Sequence, residues 1–232
     1  MISVERVIDL TRPITGDIAM WPGTPAPSFE TGVTVEKDGF FARKIHLWEH
    51  TGTHLDAPAH FIQGAATIES IPVERLLCAA VVIDVADRCD GQPDYAVTVQ
   101  DVARFEAAHG QVPRGCAVLL RTGWDAYGDD HERYMGPSGD LHFPGIGEAA
   151  ALLLVEERGV IGIGIDTLGI DPGNVTEFSV HRHGTLPHGA WNLEGLVNLE
   201  QVPPVGALLI VAALPLVGGS ASPARVVALI GW

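Results

Sequence analysis

The chain has 232 residues, of which 47% are hydrophobic and 19% are charged, and it contains three cysteines. A chain of this length and composition can bury a large apolar core, which excludes a disordered tail and a small disulfide-bonded scaffold. Lys and Arg number 14 against 29 Asp and Glu, which gives a formal net charge of −15. Because that charge repels phosphate backbones, it argues against a nucleic-acid partner.

The first residues show no basic stretch followed by an apolar segment and a cleavage site, so no secretion signal is expected. The longest apolar run, residues 205–219, is too short to span a bilayer and contains a proline. We therefore expect a cytoplasmic protein with reduced cysteines and no membrane partner. No repeat or linker divides the chain, and residues 1–232 are predicted to form one domain.

The predicted elements alternate between strands and helices after a different N-terminal part. That part carries strand-like segments at 33–36 and 42–49. Helices are predicted at 100–109 and at 147–158, the second ending at Gly159. This order predicts an α/β fold, with a mostly buried mixed β-sheet covered by helices and an added N-terminal β portion. The short apolar segments that predict buried strands are 79–84, 116–121, 160–166, 206–212 and 224–232.

Four of the ten histidines lie between positions 46 and 60. Imidazoles and a carboxylate concentrated in a short segment are the donors that first-row divalent metals bind. A glycine and a proline interrupt the segment, which favours a strand and a turn over a continuous helix. A single histidine is more often a surface or core residue than a ligand, but the group as a whole predicts a metal site. Its members are His50, His54, Asp56 and His60.

Residues 50–61 read HTGTHLDAPAHF. This segment resembles the H-x-G-T-H-x-D-x-P-x-H-F signature of the metal-dependent cyclase family, which includes bacterial kynurenine formamidases and isatin hydrolases. The resemblance covers nearly the whole chain and implies a swivelling β/β/α-like fold and a homo-oligomer, either a dimer or a tetramer. Further segments that resemble the family are 21–23, 120–124, 162–173, 191–196 and 222–225.

The resemblance also implies a set of metal ligands, among which Asp56 reaches a second metal when two are bound. In the family a further histidine, usually in a His-Arg pair, precedes the glutamate that completes the site. Residues 181 and 182 form such a pair, although their distance from Glu194 is one residue longer than the family pattern. We take His181 as this ligand and keep His183, which is one residue too close, as the alternative. The implied ligands are His50, His54, Asp56, His181 and Glu194.

Other residues receive roles from the same resemblance. His60 takes the position of the general acid and base, where an ordinary histidine pKa of about 6.5 suits proton transfer. Trp21 would stack on an aromatic substrate, with a structural role in a turn as the alternative. Asp166 and Asp171 follow a buried strand and either hold metal-bound imidazoles or cap the next turn. The cofactor is expected to be Zn²⁺, with Mn²⁺ as the alternative, at one or two ions per chain.

The resemblance implies a metal-dependent hydrolase that cleaves an amide-type C–N bond with metal-activated water. An aryl formamide such as N-formylkynurenine is the first substrate, and a cyclic amide or a lactone is the alternative, since the stretch 124–143 could reshape the pocket. A non-catalytic metal-binding module is the second hypothesis, although a closed structural site needs only four ligands and leaves His60 without a purpose. A protein whose histidines only satisfy its core predicts no bound metal after dialysis.

Overall fold

The computed structural model describes residues 4–137 and 140–232. Its strands, named in chain order, are β1 Arg6–Asp9, β2 Ser28–Val33, β3 Ala42–His46, β4 His54–Asp56, β5 Leu77–Asp84, β6 Ala96–Val97, β7 Ala117–Arg121, β8 Gly145–Ile146, β9 Gly162–Ile165, β10 Trp191–Glu194, β11 Ala207–Ala213 and β12 Ala221–Ile230.

Eight of these strands form one mixed sheet, in the order β1-β12-β11-β5-β7-β9-β10-β4. The first residues of β12 also pair with β4, so seven strands close into a barrel-like ring and β1 lies beside β12. β5, β7, β9 and β10 run parallel, and the other pairings in this sheet are antiparallel. This confirms the mixed α/β class, whereas the swivelling arrangement stays a prediction.

The helices support the outer face of this sheet. Thr98 and Asp101 form a capping box at the start of the longest one, which confirms the helix predicted at 100–109. The helix predicted at 147–158 is a short α-helix that continues into a π-helix, Leu153–Glu157. Within the described ranges, no helix is long and apolar enough to cross a membrane. The α-helices are α1 Val35–Asp38, α2 Ala86–Cys89, α3 Val99–His109, α4 His131–Met135 and α5 Glu148–Leu152, and a second π-helix spans Val180–Thr185.

The core has two main clusters because successive residues of a strand point to opposite faces. On β7, Leu119 belongs to the cluster inside the ring, which also contains Leu55 of β4 and Leu193 of β10. Its neighbours Val118 and Leu120 belong to the cluster beneath the helices. Burial on both faces explains why these strands read as continuous apolar runs.

The N-terminal prediction is partly wrong. The segment 33–36 is not a strand, because β2 ends at Val33 and α1 begins two residues later. Gly39, with a φ of 80°, adopts the left-handed conformation that ends α1, and the short alternation of apolar and polar residues gave no sign of this. β3 matches the start of the predicted segment 42–49 but ends at His46.

Candidate metal centre

The antiparallel pairing of β4 with β10 brings the first three polar side chains together. Glu194 pairs with His54, and Asp56 lies two residues further along β4 on the same face, opposite the apolar Leu55. Nε2 of His54 lies 3.4 Å from Oδ1 of Asp56 and 3.4 Å from Oε2 of Glu194. All three residues are at most 5% exposed, so this polar cluster is buried on the outer face of the ring.

His181 reaches the same cluster from the π-helix. Its Nε2 lies 3.4 Å from Oδ2 of Asp56 and 3.3 Å from Oε1 of Glu194. Asp171 fixes the ring from the other side, because its carboxylate accepts a hydrogen bond from Nδ1–H of His181 at 2.5 Å and further bonds from two backbone N–H groups at the start of the helix. The sequence hypothesis that Asp171 orients an imidazole therefore agrees with the geometry.

The orientation of His54 follows from the acceptor at its other nitrogen. Nδ1 lies 2.9 Å from the carbonyl oxygen of Gly52, which can only accept, so Nδ1 carries the hydrogen. Gly52 has a φ of 64° and presents this carbonyl from a left-handed turn that favours glycine. In the neutral imidazole, Nε2 then points a lone pair at two carboxylates.

Three observations show that this donor set fits a divalent cation. Nε2 of His54 and Oδ2 of Asp56 are buried and have no hydrogen-bond partner among the described residues. Lone pairs of imidazole directed at carboxylates repel them unless a cation or a proton lies between. Atoms bound at 2.0–2.1 Å to a tetrahedral ion are separated by about 3.3 Å, close to the separations of 3.3 and 3.4 Å found here.

A further nitrogen comes from the loop that precedes β4. His50 lies with Nδ1 2.9 Å from Oδ1 of Asp56, and its other nitrogen lies 3.3 Å from the hydroxyl oxygen of Ser220. Ligand atoms of His50, Asp56 and His60 lie within 4.8 Å of one another, as do those of His54, Asp56 and Glu194. Asp56 is therefore common to both groups, with Oδ1 near His50 and His54 and Oδ2 near His181.

The buried charges shift the pKa values of the cluster strongly. Burial opposes a charge on His54, but the carboxylates of Asp56 and Glu194 outweigh it and raise the pKa of His54 to about 10. Burial is likewise outweighed at His181, whose pKa is raised well above its usual value by its hydrogen bonds to carboxylates. Burial would raise the pKa of Asp56, yet the facing imidazoles hold it well below its usual range. A cation that binds here must therefore displace protons from imidazoles.

His60 differs from the other histidines because no carboxylate holds a proton on it. It follows β4 in a short 3₁₀-helix, Pro58–His60, and its ring centroid lies 4.0 Å from that of His50 and 5.7 Å from that of His181. Burial, aided by the neighbouring imidazoles, lowers the pKa of His60 to about 4. The value of about 6.5 assumed from sequence is therefore too high, and the ring is a neutral proton acceptor at pH 7.

An aromatic cavity of about 270 Å³ opens onto the centre. Trp21, half of a T-shaped pair with Phe143, lies 5.8 Å from the ring of Phe178, which lies 5.6 Å from that of Phe61. Among the described residues, none that lines the cavity is a lysine or an arginine. The lining residues are Trp21, Thr24, His50, His54, His60, Phe61, Leu168, Gly169, Asp171, Pro172, Val175, Phe178, His181 and Glu194.

The stretch 124–143 supports this cavity from behind. Phe143 is fully buried in a small cluster with Trp124 and Tyr134, and its ring centroid lies 6.3 Å from that of Trp21. Residues 138–139, which belong to the same stretch, lie outside the described residues. The stretch therefore contributes to the cavity through Phe143, which packs behind Trp21.

His181 and His183, the two alternatives that the sequence offered for one ligand, have different surroundings in the structure. His181 faces the cluster, whereas the side chain of His183 is 63% exposed and lies 3.6 Å from Glu148. The two aspartates after the strand also differ. Asp166 accepts hydrogen bonds from the backbone N–H groups of Thr122 and Gly123, which follow β7. Among the described residues it therefore neither holds an imidazole nor caps the turn after its own strand, as the sequence had suggested.

Two aromatic residues of the cavity, Phe61 and Phe178, received no role from the sequence. Phe61 closes the histidine-rich signature, so its place beside His60 could have been inferred. Phe178 has a φ of 52°, an uncommon left-handed conformation for a residue with a side chain, and its position depends on the turn that precedes the π-helix. No sequence signal marks that conformation.

Fold and centre together define a mixed α/β protein with a closed sheet and a buried cluster of imidazoles and carboxylates. The chain belongs to the Cyclase family, whose model matches residues 8–172. It is 33% identical over 209 residues to the isatin hydrolase of Roseibium aggregatum, covering 84% of this chain and 78% of the relative. It is 29% identical over 232 residues to the kynurenine formamidase of Bacillus mycoides, covering 97% and 98% of the two chains.

Solved structures give the same family with a close match in fold. Isatin hydrolase A from Ralstonia solanacearum superposes with a TM-score of 0.91 at 31% identity, covering 97% of this chain and 92% of the other. A structure named "Potential Metal-Dependent Hydrolase With Cyclase Activity" superposes with a TM-score of 0.74 at 28% identity, covering 97% of each chain. The relatives are named as hydrolases, some of isatin and others of a kynurenine formamide, so their names do not decide between these two substrates.

Proposed function

We propose that this protein is a divalent-metal-dependent hydrolase that cleaves an amide-type C–N bond in a compact aromatic substrate. The observation that carries the proposal is the convergence of imidazole nitrogens and two buried carboxylates on the wall of one aromatic cavity. Buried groups of this kind are costly unless a cation or protons neutralise them, so they are a mark of function rather than of stability.

We propose five ligands for one or two ions. Oδ1 of Asp56 faces His50 and His54, whereas Oδ2 faces His181, an arrangement that supports a bridging role when two ions bind. Imidazole and carboxylate donors favour Zn²⁺ first and Mn²⁺ second. When bound, such a cation supplies a Lewis acid for the substrate carbonyl and lowers the pKa of water at the site. The ligands are His50, His54, Asp56, His181 and Glu194.

We propose His60 as the residue that moves the proton. Its neutral ring accepts a proton from water as the water oxygen adds to the carbonyl carbon. The imidazolium then gives that proton to the nitrogen as the C–N bond breaks. The products are a carboxylic acid and an amine, and His60 returns to its neutral form.

The cavity lining supports a cyclic aryl amide such as isatin as the first substrate. A flat neutral ring would lie against the aromatic wall that Trp21, Phe61 and Phe178 form, and no lining lysine or arginine among the described residues would pair with the carboxylate of an amino acid. The match in fold to isatin hydrolase A supports the same order. An aryl formamide such as N-formylkynurenine, placed first by sequence, is the second candidate, supported by the similarity to kynurenine formamidase over the whole chain.

The test is a comparison of kcat/KM for isatin and N-formylkynurenine, with protein reconstituted with Zn²⁺ or Mn²⁺ and then treated with a chelator. We expect cleavage that the chelator abolishes and added metal restores, with isatin the better substrate. A higher kcat/KM for N-formylkynurenine would reverse the order of substrates. If the protein binds stoichiometric metal but hydrolyses neither amides nor lactones, the non-catalytic metal-binding module is the better hypothesis. If it binds no metal, the proposal is contradicted.

A homo-oligomer, expected from the family resemblance, remains a proposal that the N-terminal hairpin supports. Within the described part of the chain, β2 and β3 pair only with each other and contain no buried residue, and a lone hairpin is marginally stable in water. Phe40, Phe41 and Trp48, near its ends, are 55–60% exposed. A second copy of the chain would cover this surface. The molar mass from light scattering tests this, and a monomer at micromolar concentration would contradict it.

A further inference from the structure

Glu49 and Ser220 form a short hydrogen-bonded chain that ends on the ring of His50. Oε2 of Glu49 accepts the hydroxyl of Ser220 at 2.8 Å and the backbone N–H of the same serine at 2.8 Å. The hydroxyl oxygen of Ser220 in turn lies 3.3 Å from Nε2 of His50. Glu49 thus connects the loop before β4 with the first residues of β12.

The direction of these hydrogen bonds fixes the tautomer of His50. An ionised carboxylate can only accept, so the hydroxyl hydrogen of Ser220 points to Glu49. The serine oxygen then offers a lone pair to His50, and Nε2 must carry the hydrogen. Nδ1 of the neutral ring is left with the lone pair that faces Oδ1 of Asp56 at 2.9 Å.

The same logic holds at the two other imidazoles, but with different acceptors. His54 donates to the carbonyl of Gly52 and His181 donates to Asp171, each from the nitrogen that points away from the centre. Acceptors of this kind commonly orient metal-binding histidines and fix their tautomers. The ring of His50 would otherwise be the least constrained of the three, since its side chain is 28% exposed.

We propose that Glu49 and Ser220 are positioning residues that hold His50 in the tautomer whose Nδ1 faces the metal, an inference that rests on the metal site of the proposed function. The backbone around Ser220 is held independently of the serine hydroxyl. Its carbonyl accepts from Ala57, and Glu69 accepts from the N–H of Gly218 at 3.0 Å. Loss of the serine hydroxyl therefore removes the partner of His50 without releasing the segment.

Each substitution acts on the tautomer in a defined way. In Ser220→Ala, Nε2 of His50 loses its acceptor, and the two neutral tautomers exchange. In Glu49→Ala, the hydroxyl of Ser220 loses its acceptor and is free to donate to Nε2, which moves the ring hydrogen to Nδ1. Both changes reduce the fraction of His50 that can bind a metal. We expect Zn²⁺ affinity to fall by about 10–100-fold, the usual cost of losing such a partner.

The experiment measures Zn²⁺ affinity by chelator competition and the His50 tautomer by ¹⁵N NMR of the histidine side chains. His50 is assigned from the signals lost in His50→Gln. Ser220→Ala and Glu49→Ala should lower the affinity and shift the His50 signals, whereas Ser220→Thr, which keeps the hydroxyl, should restore both. Glu69→Ala is the matched control, because Glu69 holds the same segment but does not contact His50.

Unchanged affinity and unchanged His50 signals in Ser220→Ala and Glu49→Ala would overturn the inference while leaving the metal site intact. An equal loss in Glu69→Ala would also overturn it, since anchoring of the segment would then explain the effect. Wild-type protein that binds no Zn²⁺ or Mn²⁺ would instead contradict the proposed function, and the inference with it.

Discussion

Glu194 lies directly opposite His54 across the antiparallel pair of β10 and β4, with a carboxylate oxygen 3.4 Å from Nε2. This contact exists because the sheet closes on itself, with β4 held between β10 and β12. Side chains on paired strands are more precisely placed than side chains on loops. The closed sheet is therefore what gives the centre its geometry, and the loops before and after β4 add His50 and His60.

Replacement of His181 should reduce metal binding, whereas replacement of His183 should not. His181→Ala removes a nitrogen that faces both carboxylates, and we expect it to lose one equivalent of metal or at least about 10–100-fold in affinity. His183→Ala is the matched control, because its exposed side chain lies near Glu148. Metal content by elemental analysis after dialysis measures both. Loss of metal in His183→Ala alone would reverse the assignment.

Metal binding should release protons and weaken as the pH falls. The pKa of His54 is raised to about 10, so at pH 7 the metal-free protein holds a proton there that a cation must displace. Calorimetry of Zn²⁺ binding in buffers of different ionisation enthalpy measures the number of protons released. Binding heats that do not depend on the buffer would contradict the shift.

The same shift predicts how the stability of the metal-free protein depends on pH. Because the folded-state pKa of His54 lies above the unfolded value of about 6.5, its contribution is fully present below pH 6.5 and is lost as the pH rises towards 10. We expect the Tm of metal-free protein to fall across this window and the Tm of metal-loaded protein to change less. Thermal unfolding of both forms from pH 6 to pH 10 is the measurement, and a Tm of the metal-free form that rises with pH would contradict it.

Many of the strands can be predicted from the sequence. β5 and β7 are continuous apolar runs because both of their faces are buried, and the residue types alone reveal that. Gly52 and Pro58, which interrupt the histidine-rich segment, likewise predict a strand and a turn, as the structure has it. Local pattern and local structure agree in these segments, whereas they disagree at 33–36, where a short helix replaces the predicted strand.

Features that depend on pairing between segments far apart in the chain cannot be predicted from this sequence. Nothing in the sequence of β12 shows that its first residues pair with β4 and close the ring. The contact of Ser220 with His50 follows from that closure, which is why sequence gave neither residue 220 nor Glu49 a role. The π-helix that carries His181 was also missed, since its pattern does not differ from that of an ordinary helical turn.

His60→Ala should abolish most of the turnover without removing the metal. The metal should stay bound because the His60 ring does not face both Asp56 and Glu194. Turnover should fall because loss of a positioned acid and base costs about 10²–10⁴-fold in kcat. Because its pKa is lowered to about 4, the wild-type enzyme should lose no activity through this group as the pH falls from 8 to 5. Surface His188→Ala is the control. Full turnover by His60→Ala with metal bound would refute the proton-transfer role.

Gly195→Ala should destabilise the protein and disturb the centre. Gly195 has a φ of 67°, and an added Cβ would lie 2.8 Å from the carbonyl oxygen of Gly52, the acceptor that orients His54. We expect a loss of about 1–3 kcal/mol in the free energy of unfolding together with weaker metal binding. Gly64→Ala is the control for backbone strain alone, since its φ is 76° and no atom lies within 4 Å of the added Cβ. Equal effects of both variants on metal affinity would count against the contact.

Trp21→Ala should weaken substrate binding more than it slows the chemical step. The ring is 37% exposed at the cavity, where Phe143 and Phe178 hold it from two sides. An aromatic contact is worth about 0.5–1.5 kcal/mol, so KM for an aromatic amide should rise by about 2–10-fold while kcat changes little. Trp21→Phe should retain most of the affinity. Trp232→Ala is the control, because Trp232 is exposed and does not line the cavity. An unchanged KM in Trp21→Ala would show that Trp21 has a structural role and does not contact the substrate.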